Sequence, residues 1–166
     1  MAQALIFLAP GYEEVEMLTV VDLLRRADIS IDMVSITDTL EVTGAHNITI
    51  TADTLLSNAD FDSAQMLILP GGIPGTPNLL ACQPLCEQLK QFARENKMLA
   101  AVCAAPTILA SIGLLNGKKA TCYPTEIKSL IGADYQKQQV VIDGNIITSR
   151  GMGTCIEFAS AIIEKF

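Results

Sequence analysis

The sequence predicts an α/β protein whose largely parallel sheet is covered by helices on both sides. Apolar runs without a polar face recur along the chain, at Ala4–Ala9, Met66–Leu69 and Met98–Val102, and such runs are typical of strands buried on both faces. Segments with helical spacing separate these runs, and alternation of strands with helices favours a parallel sheet. Because no repeat, linker or change of composition divides residues 1–166, we expect a single domain.

The predicted elements follow from periodicity and from the turn residues between them. In the first half they are a strand at Ala4–Ala9, a helix that ends near Asp28, a strand at Ile29–Ile36, a small hairpin of Glu41–Val42 with Ile48–Thr51, and a strand at Met66–Leu69. In the second half they are a helix at Gln83–Asn96, a strand at Met98–Val102, a helix after Pro106, a strand at Lys119–Tyr123, a short helix at Thr125–Leu130, a hairpin of Val140–Ile142 with Ile146–Ser149, a loop at Arg150–Gly153, and a helix at Thr154–Phe166.

Composition excludes several classes of protein. Half of the 166 residues are hydrophobic, 17% are charged and the formal net charge is −7, which indicates a globular chain without the basic surface that nucleic acids require. We expect neither a signal peptide nor a membrane span, because the first residues lack a basic segment and no apolar run is long enough. The five cysteines, an odd number without a framework pattern, predict free thiols in the cytoplasm. No zinc-ligand pattern is complete, so we expect no metal.

Cys103 is the strongest candidate for a reactive residue. It lies where a buried strand turns into a helix, and open α/β sheets place their ligands outside the carboxyl ends of strands. The unpaired N–H groups of a helix start favour an anion, so this position predicts a thiolate with a lowered pKa. A buried cysteine that acts only as a small hydrophobic residue is the alternative.

Other candidates follow two further strands of the predicted sheet. Glu16 lies between apolar neighbours and is expected to face inward, whereas Glu13 and Glu14 are expected to interact with the helix dipole. Burial of Glu16 predicts a raised pKa, so that it can donate a hydrogen bond to a thiolate and later act as a base. The N–H groups of Gly71, Gly72 and Ala104 are candidates for holding an oxyanion.

Four motifs together resemble the ThiJ/PfpI superfamily, and most of all its branch of the parkinsonism-associated deglycase. They are Leu8 to Glu16 (LAPGYEEVE), Leu69 to Gly72 (LPGG), Val102 to Pro106 (VCAAP) and Thr148 to Gly151 (TSRG). The resemblance covers essentially the whole chain. It implies a flavodoxin-like three-layer sandwich of the class I glutamine amidotransferase type, usually a homodimer, with an oxidation-sensitive cysteine at Cys103 and a protonated glutamate at Glu16.

The resemblance also implies a range of activities. The branch is associated with glutathione-independent glyoxalase activity, deglycation of methylglyoxal adducts, chaperone-like action and protection against oxidative stress. Many members carry a histidine near the cysteine, just before a proline, where this chain has Tyr123 before Pro124. A phenol is a poor base at neutral pH, so Tyr123 is assigned only a substrate-orienting role. The one histidine, His46, lies in the loop of the predicted hairpin and is expected to be exposed or at a contact surface, because loops carry partner contacts as well as chemistry. In relatives this segment lies near the dimer contact.

Two hypotheses about function remain open from the sequence. The first is an enzyme that acts without an external cofactor on small reactive aldehydes or on glycated proteins, through Cys103 and Glu16. The second is a redox sensor or chaperone-like protein that is oxidised at Cys103, because accessible thiolates are the cysteines that oxidise first. Peptidase activity and thiazole biosynthesis are disfavoured, since they rest on inherited family names and the chain offers no evident histidine base.

Overall fold

The computed structural model describes residues 2–166, and its main feature is a seven-stranded sheet. The strands are β1 (Ala4–Leu8), β2 (Ile31–Ser35), β3 (Glu41–Thr43), β4 (Thr49–Thr51), β5 (Thr54–Leu55), β6 (Met66–Leu69), β7 (Met98–Val102), β8 (Lys119–Ala120), β9 (Asp134–Tyr135), β10 (Val140–Asp143) and β11 (Ile146–Ser149). The α-helices are α1 (Glu14–Arg26), α2 (Gly75–Ala81), α3 (Gln83–Arg94), α4 (Pro106–Ser111) and α5 (Cys155–Ile163). Short 3-10 helices occupy Leu56–Asn58, Pro124–Ser129 and Met152–Thr154.

The main sheet has the strand order β10-β11-β7-β6-β1-β2-β5, and every neighbouring pair is parallel except the β10–β11 hairpin. From β1 the chain adds β2 on one side and then β6 and β7 on the other. The strand order therefore reverses between β1 and β6, which is where open α/β sheets form their ligand crevice.

Helices cover both faces of the sheet, because its central strands are apolar on both. Met17 of α1 and Phe158 of α5 belong to one buried cluster, which packs against the side chains of Ile6 and Ile68. Leu89 of α3 and Ile108 of α4 belong to the second cluster on the opposite face. The three-layer α/β/α sandwich with a largely parallel sheet is thereby confirmed.

Several local elements differ from those that periodicity predicts. Helix α2 was not predicted, because Gly75 and Pro77 in its first turn resemble a loop. The strand expected at Lys119–Tyr123 is only the two residues of β8, which pair with β9 in a separate small sheet. The segment after Tyr123 forms a 3-10 helix and not an α-helix. Strands of two residues are too short for alternation to reveal them.

No helix among residues 2–166 is long and apolar enough to cross a membrane. The longest, α1, has 13 residues, whereas a spanning helix needs about 20 apolar ones.

Candidate active site

Cys103 directly follows β7 and has a left-handed backbone conformation, with φ of 63°. A residue with a side chain rarely adopts this conformation, and such strain is found mostly at functional sites. Its N–H donates to the Ser149 carbonyl at 3.0 Å, and its own carbonyl accepts the Tyr123 N–H at 2.8 Å. The neighbouring segments thus hold the cysteine in a sharp strand-to-helix turn, with its side chain only partly buried.

Glu16 approaches the same point from α1. Its residue is only 1% exposed, and its Oε2 accepts the Gly71 N–H at 2.7 Å. The carboxyl group also lies within hydrogen-bonding reach of the Cys103 thiol. A Cβ atom on Gly71 would lie 2.6 Å from Glu16 Oε2 and 2.7 Å from Cys103 Cβ. Only glycine therefore fits at residue 71, between the acid and the thiol.

Burial determines the protonation of Glu16. It raises the pKa of the Glu16 carboxyl to about 7, although the hydrogen bonds from Cys103 and Gly71 act in the opposite direction. The negative charge of Glu13 adds a smaller upward shift. Glu16 is consequently protonated in a substantial share of molecules at neutral pH, as expected for a carboxyl group removed from water.

The Cys103 thiol departs from the sequence prediction. Burial, followed by the charge and the hydrogen bond of Glu16, raises its pKa above the ordinary value, and the Ala104 N–H opposes this shift only in part. The prediction of a lowered pKa from the helix start is therefore wrong for a thiol that faces an ionised Glu16. Helix α4 has only six residues, and its amides are outweighed by desolvation and by the neighbouring carboxylate.

The acid and the thiol titrate as a pair, because they share one hydrogen bond. When Glu16 is ionised, its charge keeps the proton on the sulfur. When Glu16 holds the proton, the same hydrogen bond stabilises the thiolate. A reactive sulfur in this site thus depends on a protonated Glu16.

The three candidate amides have different surroundings. The Gly71 N–H is engaged by Glu16, so in this arrangement it orients the acid and is not free for an oxyanion. The Ala104 N–H faces the Cys103 sulfur. Gly72 has φ of 97° and packs against the backbone of residues 11–13. Neither Gly72 nor Ala104 donates to a backbone carbonyl within residues 2–166.

Tyr123 lies at the mouth of the site and is 46% exposed. A Cβ atom on Gly151 would lie 3.1 Å from the Tyr123 ring and 3.8 Å from the Cys103 sulfur. Tyr123 also lines a cleft of about 320 Å³ together with Pro124, Arg150 and residues 151–154. A larger cavity, of about 500 Å³, opens near Phe61 and includes none of these residues.

The surroundings of His46 were not foreseen from the sequence. Glu14 is buried, and it accepts the His46 N–H at 2.7 Å through Oε1 and contacts His46 Nδ1 at 2.9 Å through Oε2. This carboxylate therefore anchors the β3–β4 hairpin to α1, beyond any interaction with the helix dipole. His46 itself is exposed, as expected. No local sequence pattern indicates this contact, because 31 residues separate His46 from Glu14.

The chain is similar to several proteins named DJ-1. It is 39% identical over 165 residues to Protein DJ-1 homolog B of Arabidopsis thaliana, covering 99% of this chain and 38% of the relative. It is 37% identical over 164 residues to Protein dj-1beta of Drosophila melanogaster, covering 98% of this chain and 88% of the relative. The chain thus spans about two-fifths of the length of the Arabidopsis relative.

Solved structures of similar proteins have the same fold. Oxidized Toxoplasma gondii DJ-1 superposes with a TM-score of 0.94 at 31% identity, covering 99% of this chain and 90% of that one. The crystal structure of Drosophila melanogaster DJ-1beta gives a TM-score of 0.94 at 37% identity, with the same coverage of 99% and 90%. The model of the DJ-1/PfpI family matches residues 2–165. With relatives of this similarity along its whole length, the chain belongs to the DJ-1/PfpI family.

Proposed function

We propose that this protein is a cytoplasmic stress-protection enzyme that acts on reactive α-oxoaldehydes or on their protein adducts through Cys103 and Glu16. One observation carries the proposal: a strained cysteine after β7 and a buried glutamate after β1 share a hydrogen bond at the carboxyl edge of the sheet, beside Gly71 at the end of the intervening β6. Membership of the DJ-1/PfpI family supports the protective role. The reaction needs no external cofactor.

The first step is addition of sulfur to the substrate. With the proton on Glu16, the thiolate attacks the aldehyde carbon, a carbon–sulfur bond forms, and the carbonyl π electrons move to oxygen. The Ala104 and Gly72 N–H groups are the proposed donors to that oxygen. The proton from Glu16 neutralises it and gives a hemithioacetal. Glu16 leaves this step as a carboxylate, ready to act as a base.

The second step moves a hydrogen within the substrate. Glu16 removes the proton from the former aldehyde carbon and returns it to the adjacent carbonyl carbon, while the hydroxyl proton of the hemithioacetal passes to the oxygen of that second carbon. The product is a thioester of a 2-hydroxy acid. Water then cleaves the thioester and restores the thiol. Methylglyoxal and one water molecule thus become lactic acid, with no net oxidation. Tyr123 is proposed to orient the substrate in the adjoining cleft.

The test compares two cysteine variants in an assay of lactate formation from methylglyoxal. We expect Cys103→Ser to lower kcat/KM by at least ~1,000-fold, since the nucleophile is lost. Cys82→Ser is the matched control, because Cys82 is another partly buried free thiol and its loss is expected to leave the rate unchanged. Equal rates in the wild type and Cys103→Ser would refute the enzymatic proposal.

The alternative function is a redox sensor without turnover, and a specific observation favours it. Cys103 is one of two cysteines that are not fully buried, and a related structure is that of an oxidized DJ-1. Peroxide would convert the Cys103 thiol to sulfenic acid and water, and a second peroxide would give sulfinic acid. Peptide mapping after mild peroxide is expected to find the added oxygen on Cys103 before Cys82. Equal oxidation of the two would reject a sensor.

A further inference from the structure

A second group of side chains with potential metal-ligand atoms lies beside the active site, at the start of α1. Glu13, Glu14 and His46 each offer one ligand atom, and these atoms all lie within 4.8 Å of one another. His46 Nδ1 is 2.9 Å from Glu14 Oε2 and 3.4 Å from Glu13 Oε2. Two carboxylates from neighbouring residues therefore converge on a single imidazole.

Backbone hydrogen bonds fix the orientation of both carboxylates. Glu13 Oε1 accepts the Val15 N–H at 3.3 Å, and Glu14 Oε1 accepts the His46 N–H at 2.7 Å. In each carboxylate one oxygen is held by the backbone, while the other oxygen faces the imidazole. Metal ligands in proteins are typically oriented by outer contacts of this kind.

Among residues 2–166, His46 is the one basic side chain that pairs with the two carboxylates of the cluster. Within residues 2–166, neither Glu13 nor Glu14 forms an ion pair with a lysine or an arginine, and His46 is the partner of both. The side chains of Glu13 and Glu14 are only 13% and 5% exposed. Carboxylates shielded from water require a compensating positive charge. A protonated His46 contributes one positive charge and the α1 dipole about half a charge, which together are less than the two carboxylates carry.

The separations of His46 Nδ1 from the two carboxylate oxygens suit a small metal ion. With bonds of about 2.0–2.1 Å, ligand atoms in a tetrahedral zinc site are about 3.3 Å apart, and the two measured separations, 2.9 and 3.4 Å, lie on either side of that value. We propose that Glu13, Glu14 and His46 bind one divalent first-row transition-metal ion, through Nδ1 and the two Oε2 atoms. An imidazole with two carboxylates favours zinc, cobalt or nickel over magnesium or calcium.

Binding would replace a proton by a metal ion. The imidazole must be neutral to offer the Nδ1 lone pair, so the proton that joins it to the carboxylates is released to solvent. The cluster supplies three ligand atoms, so a tetrahedral site would keep a fourth coordination position for water. No local pattern in the sequence marks this cluster, because only folding brings His46 to the start of α1.

The experiment uses the single histidine as its reporter. Because His46 is the only histidine in the chain, imidazole resonances of the untagged, 15N-labelled protein report on this site alone. Zinc chloride is titrated into Cys103→Ser protein, so that the active-site thiol does not compete for the metal. We expect the imidazole signals to shift and to saturate at one zinc per chain, with proton release in the calorimeter.

Two variants and one control complete the test. Glu13→Gln and His46→Gln are expected to lower the zinc affinity at least ~10-fold, while circular dichroism verifies that both remain folded. Glu126→Gln, which removes a partly exposed carboxylate elsewhere, is expected to bind zinc as before. Imidazole signals that do not move at saturating zinc, or stoichiometric binding that survives His46→Gln, would overturn the proposal and leave an ordinary histidine–glutamate ion pair.

Discussion

A single carboxyl group links three segments of this site, and its proton governs the chemistry of the sulfur beside it. Glu16 comes from α1, Gly71 from the end of β6, and Cys103 from the end of β7. The strands before these residues are neighbours in the sheet. A charge at residue 16 and a charge on the sulfur disfavour each other, so the pair holds one proton over a wide range of pH.

The first prediction concerns the pH dependence of the reaction of Cys103 with iodoacetamide. Below the Glu16 pKa of about 7, both groups are protonated and alkylation is slow. Above it, the pair holds one proton, and the share of molecules with that proton on Glu16 reacts as thiolate. We expect the rate, followed by mass spectrometry of the Cys103 peptide, to rise through pH 7 and level off.

Glu16→Gln supplies the control for this profile. Glutamine cannot ionise, so the buried thiol must lose its own proton without help, and the inflection is expected to move above pH 8, towards or past the ordinary thiol value of about 8.5. If the wild type and Glu16→Gln gave superimposable pH profiles, this result would contradict the coupling of Glu16 and Cys103.

The second prediction concerns Gly71. An added methyl group would overlap both Glu16 Oε2 and Cys103 Cβ, so Gly71→Ala must separate the acid from the thiol. We expect the alkylation rate of Cys103 at pH 7.5 to change at least ~10-fold and the protein to lose about 1–3 kcal/mol of stability, as for other overpacked sites.

Gly153→Ala is the matched control, since a Cβ atom there would meet nothing within 4 Å. Rate and melting temperature are expected to stay within error of the wild type. If Gly71→Ala behaved like Gly153→Ala, residue 71 would have no steric role between the two side chains.

Some contacts of the site could be predicted from the sequence alone, and others could not. The contact of Cys103 with Glu16 could be anticipated, because a strand–turn–helix pattern marks the carboxyl end of each strand locally. The contact of Glu14 with His46 could not, because it depends on where a hairpin folds back. The direction of the Cys103 pKa was also missed, since burial and the Glu16 charge are properties of the assembled site. The roles of Gly72, Ala104 and Tyr123 stay predictions.

At the scale of elements, the β10–β11 hairpin is tied to the rest of the sheet through its turn. The Asn145 side-chain amide donates to the Lys97 carbonyl at 2.8 Å, and the Asn145 carbonyl accepts the Leu99 N–H at 2.9 Å. Asp143 accepts the Lys119 N–H at 2.8 Å. The hairpin is thus joined to the start of β7 and to β8, at the end of the sheet away from Cys103.

The third prediction is that Asn145→Ala lowers the free energy of unfolding by about 1–2 kcal/mol. The substitution leaves the Lys97 carbonyl, in the loop before β7, without its side-chain donor. Urea unfolding followed by circular dichroism measures the change, and Gln138→Ala, at an exposed residue before the same hairpin, is expected to change it by less than about 0.5 kcal/mol. An equal loss in both variants would indicate that the turn amide contributes nothing specific.

Elements with regular apolar patterns could be predicted, and those without could not. The runs of β1, β6 and β7 stand out because buried parallel strands lack a polar face. Helix α2 does not stand out, since its glycine and proline are typical of turns. The pairing of β8 with β9 does not stand out either, because it involves only two residues of each strand. In these segments tertiary contacts, and not local preference, decide the structure.

At the scale of the whole molecule, apolar side chains are exposed where α1 meets the β3–β4 hairpin. Val15 and Leu18 on α1 are 44% and 42% exposed, and Ile48 in the hairpin is 49% exposed. Exposed apolar groups of this size often mark an interface. We propose that this face joins two copies of the chain, in keeping with the homodimer that the family resemblance implies.

The fourth prediction follows from that surface. Leu18→Glu places a charge in the proposed interface without touching the core, so sedimentation equilibrium is expected to give the mass of one chain where the wild type gives two. Leu80→Glu is the control, because Leu80 on α2 is similarly exposed, at 38%, on another part of the surface. A wild type that sediments as one chain, or a dimer that survives Leu18→Glu, would exclude this face.

The hydrogen bond from the Gly71 amide to Glu16 should also report on the chemical state of the Cys103 sulfur. An adduct or an oxygen on Cys103 removes the thiol proton, which changes the hydrogen bond of Glu16 on the sulfur side while the Gly71 N–H stays its backbone partner. The rate of deuterium uptake at the Gly71 amide should therefore change when the Cys103 sulfur is modified, although the two are not directly bonded. A modification of the side chain would in this way be recorded in the main chain between β6 and α2.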